Sequence, residues 1–177
     1  MQGLADGYFI LPQTIGDYFA NNPSAELSLD DEVFAAAEQD AVASTQRLLK
    51  VRGQRSVTSL HQELGDIMWH YCGMSRSREG LTEAIGRIQS LRDEFWQNVN
   101  VTGESGDLNQ ALEYAGRVAD YMEFGELMCR DALAREESCG THFREEYQSP
   151  EGEAQRNDEE FSHVSAWEWT GEGNEPV

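Results

Sequence analysis

Apolar residues recur at helical spacing over most of the middle of the chain. From Asp30 the stripe Val33, Phe34, Ala37, Ala41, Leu48 and Leu49 predicts a helix of about 20 residues, closed by Gly53. A second stripe, Leu60, Leu64, Ile67, Met68 and Tyr71, stops at Gly73. Ser56 or Thr58 could start that helix, and Ser59 with Gln62 offers capping-box spacing as another start. The clearest amphipathic pattern runs from about Ser77 to Asn98 through Leu81, Ile85, Ile88, Leu91 and Phe95. Val99 to Gly106 reads as a loop. Asp107 then caps the longest helix, with Leu108, Leu112, Ala115, Ala119 and Met122 on one face and an end near Arg135. Helices joined by short loops pack as antiparallel neighbours, so the fold class is mainly α: a spectrin-like, antiparallel three- to four-helix bundle.

The two ends have a different texture. Gly3, Gly7 and Gly16 punctuate an apolar stretch containing Tyr8, Phe9, Ile10 and Leu11, and Asn21-Asn22-Pro23 closes it as a turn. One or two short helical pieces are expected there, with an apolar face that has no evident partner within the chain. Beyond Arg135 the sequence is polar and irregular. The alternation from Phe161 to Trp169 predicts one short strand, which needs a partner to be stable.

Charge changes the picture of the surface. The 177 residues carry 33 acidic and 13 basic side chains, a net charge of −20, and Lys50 is the one lysine. Duplex nucleic acid is excluded as a partner class, because binding phosphate requires cations to displace counterions. The apolar content of 39% is enough for a core, so disorder is not expected. A carboxylate-rich surface almost free of lysine fits a salt-rich cytoplasm, where self-repulsion is screened. No apolar run is long enough to cross a bilayer, and Met1 to Asp6 has no basic, signal-like start. Cys72, Cys129 and Cys139 are odd in number and form no C-x-x-C pair, which suits a reduced compartment.

Candidate chemistry is sparse. His61 and His70 do not share a helix face, and Glu160-x-x-His163 is a single motif where a di-iron bundle needs two, so no metal site is expected. Phosphate-binding and dinucleotide fingerprints are absent. Cys139 near His142 has the residue types of a nucleophile and base without an orienting third group; a thiol in a packed turn is the simpler reading. Trp69, Tyr71, Phe95 and Trp96 are explained by core packing, with Trp96 toward the bundle edge.

One segment carries a family resemblance. Arg135-Glu136-Glu137-Ser138-Cys139-Gly140-Thr141-His142-Phe143-Arg144 resembles the R-x-E-S-[RC]-G-x-H-x-R signature near the C-terminus of succinate dehydrogenase and fumarate reductase flavoprotein subunits. Arg135, Glu137, Ser138, Gly140, His142 and Arg144 match in register, and Cys139 stands where many members have arginine. Arg156-Asn157-Asp158-Glu159-Glu160-Phe161 is similar to the family's R-x-D-x-x-[FW], with Asp158 as the acidic position. Upstream, His61 to Trp69, Gly73-Met74-Ser75-Arg76 and Asn109 to Glu113 fall in the family's order.

The resemblance implies three parts: 1–23, the truncated tail of an FAD-binding domain; 24–136, the helical domain; and 137–177, the polar signature with the truncated start of a C-terminal extension. It implies a parent enzyme that interconverts succinate and fumarate by hydride transfer at FAD. Electrons would pass to an iron–sulfur subunit and a membrane anchor, with the whole held on the cytoplasmic face of the inner membrane. No catalytic, flavin-binding or metal-ligating position of the family falls in these residues, so the piece alone is expected to bind no FAD and to be inactive. Its signature residues are expected to dock the helical domain on the flavin domain, or else to form an internal polar turn closing the fourth helix. A free-standing acidic interaction module is the alternative reading.

Overall fold

In the computed structural model, residues 1–23, 28–104, 108–171 and 174–177 are described. They fall into two compact units, Met1–Ala41 and Val42–Val177.

In the first unit, α1 (Gln2–Ala5), a π-helical turn (Asp6–Ile10) and α2 (Leu11–Asn21) follow one another without a break in helical backbone. One continuous helix with a π-helical turn in it therefore stands where one or two short pieces were expected. Asn21 and Asn22 stop it by turning their side-chain amides back onto the Asp17 and Tyr18 carbonyls. Its large side chains are exposed: Tyr8 and Phe9 are 76% and 73% accessible.

Helix α3 (Glu32–Val51) follows, and only its last turns are apolar on a buried face. Leu48 is buried and Leu49 packs beside the core, whereas Val33 and Phe34 are exposed. The stripe read for its first half is helical in spacing, and its Val33 and Phe34 are exposed.

The second unit is built on α4 (Val57–Tyr71), α5 (Arg78–Asn98) and α6 (Gln110–Ala134), each packed on the other two. Ser56 caps α4 by accepting from the Ser59 amide, and Ser77 caps α5 by accepting from the Gly80 amide. At the start of α6 the cap is Asn109, which accepts from the Leu112 amide; Asp107 lies outside the described residues, and Leu108 is exposed. Leu60, Leu64, Ile67, Leu81, Ile88, Phe95, Val118 and Met122 close the core, each contributing about 1.5–3 kcal/mol through burial. Trp69 points outward, 78% exposed, and so takes no part in that packing. Trp96 lies at the bundle edge with the Arg47 guanidinium 3.8 Å above its ring.

Two short strands fix the directions. β1 (Arg55–Ser56) pairs in parallel with β2 (Val99–Asn100), so α4 begins where α5 ends and the two helices run antiparallel. Gly53 makes this approach possible. Its amide donates to the Val99 carbonyl at 2.9 Å, and a Cβ there would lie 2.0 Å from the Asn98 carbonyl.

The alternating segment after Phe161 is not a strand of a sheet. Asp158–Phe161 forms a short helix, α7, with Asn157 as its cap. Beyond it the described residues take no helix or strand, and Glu168 and Val177 exchange a reciprocal pair of backbone bonds. Among the described residues no strand neighbours this segment to form a ladder with it. Trp167 is tied instead to α6 through Nε1 and Asp131, 2.8 Å apart.

Candidate functional site

The polar segment after α6 is a closed network around one buried guanidinium. Helix α6 leaves its last carbonyls without intrahelical donors, as every helix does. Arg144 returns to them: Nη1 donates to the carbonyls of Ala132 at 2.8 Å and Leu133 at 3.1 Å. A cation at this end also complements the helix dipole. Nε donates to Glu146, the guanidinium lies 5.4 Å from the centre of the Tyr147 ring, and the side chain has no solvent exposure. Its Nη2 is the one buried polar side-chain atom without a partner among the described residues.

Ser138 fixes where Arg144 sits. Its hydroxyl accepts from the Arg144 amide at 2.9 Å and donates to the Arg144 carbonyl at 3.1 Å. Between them, Cys139 and His142 exchange both backbone bonds around a tight turn, with Gly140 at φ +60°. A first central turn residue at positive φ is the conformation for which glycine is suited.

Glu137, also buried, accepts from Arg135 Nε at 2.9 Å and from the Asn157 amide at 2.8 Å. The Asn157 amide bond is the main reason that its carboxyl titrates below the usual range; burial opposes this and Arg135 assists it. Arg135 Nη2 donates onward to the Phe161 carbonyl, so the start of the segment is tied to α7. Asp158 is exposed and engaged by its neighbour Arg156, at 2.6 Å.

His142 connects the segment to the α4–α5 link. Its Nδ1 is 2.9 Å from Arg76 Nη1, and its Nε2 is 3.0 Å from the Arg135 carbonyl. Because a guanidinium only donates, Nδ1 must be the acceptor and Nε2 must carry the proton. Burial lowers the His142 pKa; the Arg135 carbonyl bond opposes this, and the charges of Arg76, Arg144 and Arg135 reinforce it. Both ring nitrogens are thus committed, and the pairing of Cys139 with His142 as nucleophile and base is not formed.

Arg76 and Glu146 were not recognised as partners of the signature. The Arg76 amide donates to the Phe143 carbonyl, and Arg76 Nε donates to the Gly73 carbonyl. Glu146 accepts from the first amide of α5, at Arg78, 2.6 Å away. Burial raises the Glu146 pKa, but the Arg78 amide and Arg144 outweigh it and the net shift is downward. Arg76 lies in the family-like Gly73–Arg76 stretch, which was the available signal; nothing local marked Glu146.

A second cluster crosses α5 and α6. Glu126, nearly buried, accepts from Gln89, Arg92 and Arg130 at 3.0, 2.8 and 2.9 Å, and Arg130 also reaches Glu175 on the tail. Burial raises the Glu126 pKa, and the Arg130, Gln89 and Arg92 interactions reverse this to a net lowering. A cavity of about 310 Å³ lies over this cluster, lined also by Asp120, Glu123, Phe124, Trp167 and Glu168.

The four histidines stay apart. His61 pairs with the Tyr114 hydroxyl, His70 with the Asp66 carbonyl, and His163 stacks near Phe161. Among the described residues no three His, Cys, Asp or Glu side chains converge as metal ligands. No described helix is long and apolar enough to cross a membrane.

The family described as "Fumarate reductase flavoprotein C-term" matches residues 61–177. Fumarate reductase flavoprotein subunits are similar in sequence. That of Haemophilus influenzae is 25% identical over 78% of this chain and 23% of its own length, and that of Escherichia coli K12 is 30% identical over 72% and 21%. Among solved structures, an Escherichia coli quinol fumarate reductase aligns with TM-score 0.64 and 26% identity over 80% of this chain and 23% of that one. A Mycobacterium smegmatis Sdh1 complex aligns with TM-score 0.58 and 27% identity over 74% and 21%. The chain therefore spans about a quarter of the length of the proteins it matches.

Proposed function

The chain belongs to the fumarate reductase flavoprotein C-terminal family, and we propose that it serves as the helical docking portion of a flavoprotein that interconverts succinate and fumarate. The family match over residues 61–177 carries this reading. In the parent, FAD would accept or deliver the hydride. Electrons would pass to an iron–sulfur subunit and a membrane anchor at the cytoplasmic face of the inner membrane.

The proposed role of this portion is structural. The signature residues Arg135, Glu137, Ser138, Gly140, His142 and Arg144 hold the segment after α6 rigid, so that it presents one fixed surface to the flavin domain. Their polar atoms are largely used within the segment, which suits a brace better than a ligand cradle. Residues 1–23 supply a second contact, since the exposed Tyr8, Phe9, Ile15 and Phe19 are the kind of face that a neighbouring domain covers.

These residues do not fit a flavin. The α5–α6 cavity is lined by Asp120, Glu123, Glu126 and Glu168 against Arg92 and Arg130, which Glu126 already pairs, an excess of negative charge unsuited to the pyrophosphate of FAD. The chain is therefore proposed to bind no FAD by itself and to lack succinate turnover.

The experiment is to incubate the purified chain with excess FAD, desalt it, and record flavin absorbance together with succinate-dependent dye reduction. Protein free of flavin and of turnover is expected. Retained flavin or turnover would place a complete site within these residues and overturn the proposal.

A further inference from the structure

The cavity over the α5–α6 ion cluster carries aromatic rings that the docking role does not use. Asp120, Glu123, Phe124 and Leu127 line it from one face of α6, at spacings of three and four. The tail adds Trp167, Glu168 and Trp169 to the lining. Its own bonds hold the tail there. Trp167 Nε1 donates to Asp131, Arg130 donates to Glu175, and the Thr170 hydroxyl donates to the Glu175 carbonyl at 2.8 Å.

Both the rings and the carboxylates are unspent. Elsewhere in the chain Arg47, Arg87, Arg135 and Arg144 lie over aromatic rings. Among the described residues no cation lies over Phe124, Trp167 or Trp169, and these three rings do not stack on one another. Arg92 and Arg130, the cations at the cavity, are both paired with Glu126. The side chains of Asp120, Glu123 and Glu168 have no hydrogen bond or ion pair among the described residues.

We propose that this cavity binds a small quaternary ammonium ion, its cationic head against the Phe124, Trp167 and Trp169 rings and the Asp120, Glu123 and Glu168 carboxylates around it.

The chemistry of the lining selects this class. Ring faces carry the negative part of the aromatic quadrupole and attract a cation. Four carboxylates against two guanidiniums, both already paired, repel an anion. A metal ion needs converging ligands, and no such group occurs among the described residues. A quaternary head has no N–H to satisfy, so it faces the rings without giving up hydrogen bonds to water. The volume of about 310 Å³ is at the small end of the range for ligand pockets, which suits a compact ion.

The test follows tryptophan fluorescence of the whole chain titrated with choline chloride. Sodium chloride at equal ionic strength and the uncharged alcohol in which carbon replaces the choline nitrogen are titrated in parallel. A saturable change with choline alone is expected, half-maximal in the millimolar range. Trp169→Ala, at an exposed position whose loss leaves the core intact, should weaken the affinity about tenfold. Asp120→Asn with Glu168→Gln should also weaken it and flatten its salt dependence. Trp69→Ala, outside the cavity, should leave the affinity unchanged. Phosphatidylcholine vesicles carry the same head group, and the chain is expected to remain in the supernatant when they are pelleted. Co-sedimentation without a response to free choline would overturn the assignment to a free ion. No saturation by about 100 mM choline, an equal response to sodium or to the alcohol, or unaltered affinity in Trp169→Ala would overturn the site itself.

Discussion

Arg76 donates to Nδ1 of His142, and this single contact makes the imidazole a neutral spacer between a guanidinium and the Arg135 carbonyl. A second proton would have to occupy the nitrogen that faces Arg76.

The pH dependence follows in sign. His142 has a folded pKa below its ordinary 6.5, so in that range the unfolded chain binds more protons and stability falls as pH falls. Thermal unfolding measured downward from neutral pH should show this loss through the ordinary histidine range. Glu137, depressed in the same way, adds a further loss at lower pH, as its folded value is passed. His142→Gln should be less stable at neutral pH but flat across the histidine window; an unchanged slope would show that another group is responsible.

Arg144 is expected to be the most sensitive position of the signature. Arg144→Met leaves the α6 carbonyls and Glu146 without their buried partner and should cost about 3–5 kcal/mol in urea denaturation. Arg144→Lys should recover little, since an ammonium lacks the fork that reaches Ala132, Leu133 and Glu146 together. A loss below 1 kcal/mol (~0.2 of the upper figure) would mean that the network is dispensable.

Two glycines should respond in opposite directions. Gly53→Ala drives a Cβ into the Asn98 backbone and should destabilise by about 1–3 kcal/mol or more. Gly65→Ala, in an exposed position of α4 with nothing near its Cβ, should stabilise by about 0.5–1 kcal/mol. Paired chemical denaturation curves read both.

Salt should stabilise the chain. With a net charge of −20, the denaturation midpoint is expected to rise from low to molar salt as carboxylate repulsion is screened. Indifference to salt would remove the argument for a salt-rich setting.

The bundle was legible where the controlling interactions are local. The stripe from Leu81 to Phe95 and the expected limits near Ser77 and Asn98 agree with α5 (Arg78–Asn98), because a 3.6-residue period is written in adjacent positions. Ser56 took the α4 cap from among three sequence candidates. The length of α3 was legible, but its period did not tell exposed Val33 and Phe34 from buried Leu48. Of the signature, the residues and the polar turn that closes α6 were legible, but the groups they bind were not. Arg144 binds backbone carbonyls, which leave no trace in side-chain patterns.

A helix capped from ten positions downstream does not finish on its own. The final turn of α6 takes its terminal donor from Arg144, and Arg144 is held in place only once Ser138 and the turn at Gly140 have closed. Folding of that turn and completion of α6 are thus expected to be coupled. A chain cut after Arg135 should fray backward into α6, exposing Ala132 and Cys129 to solvent exchange even though every residue of the helix is still present.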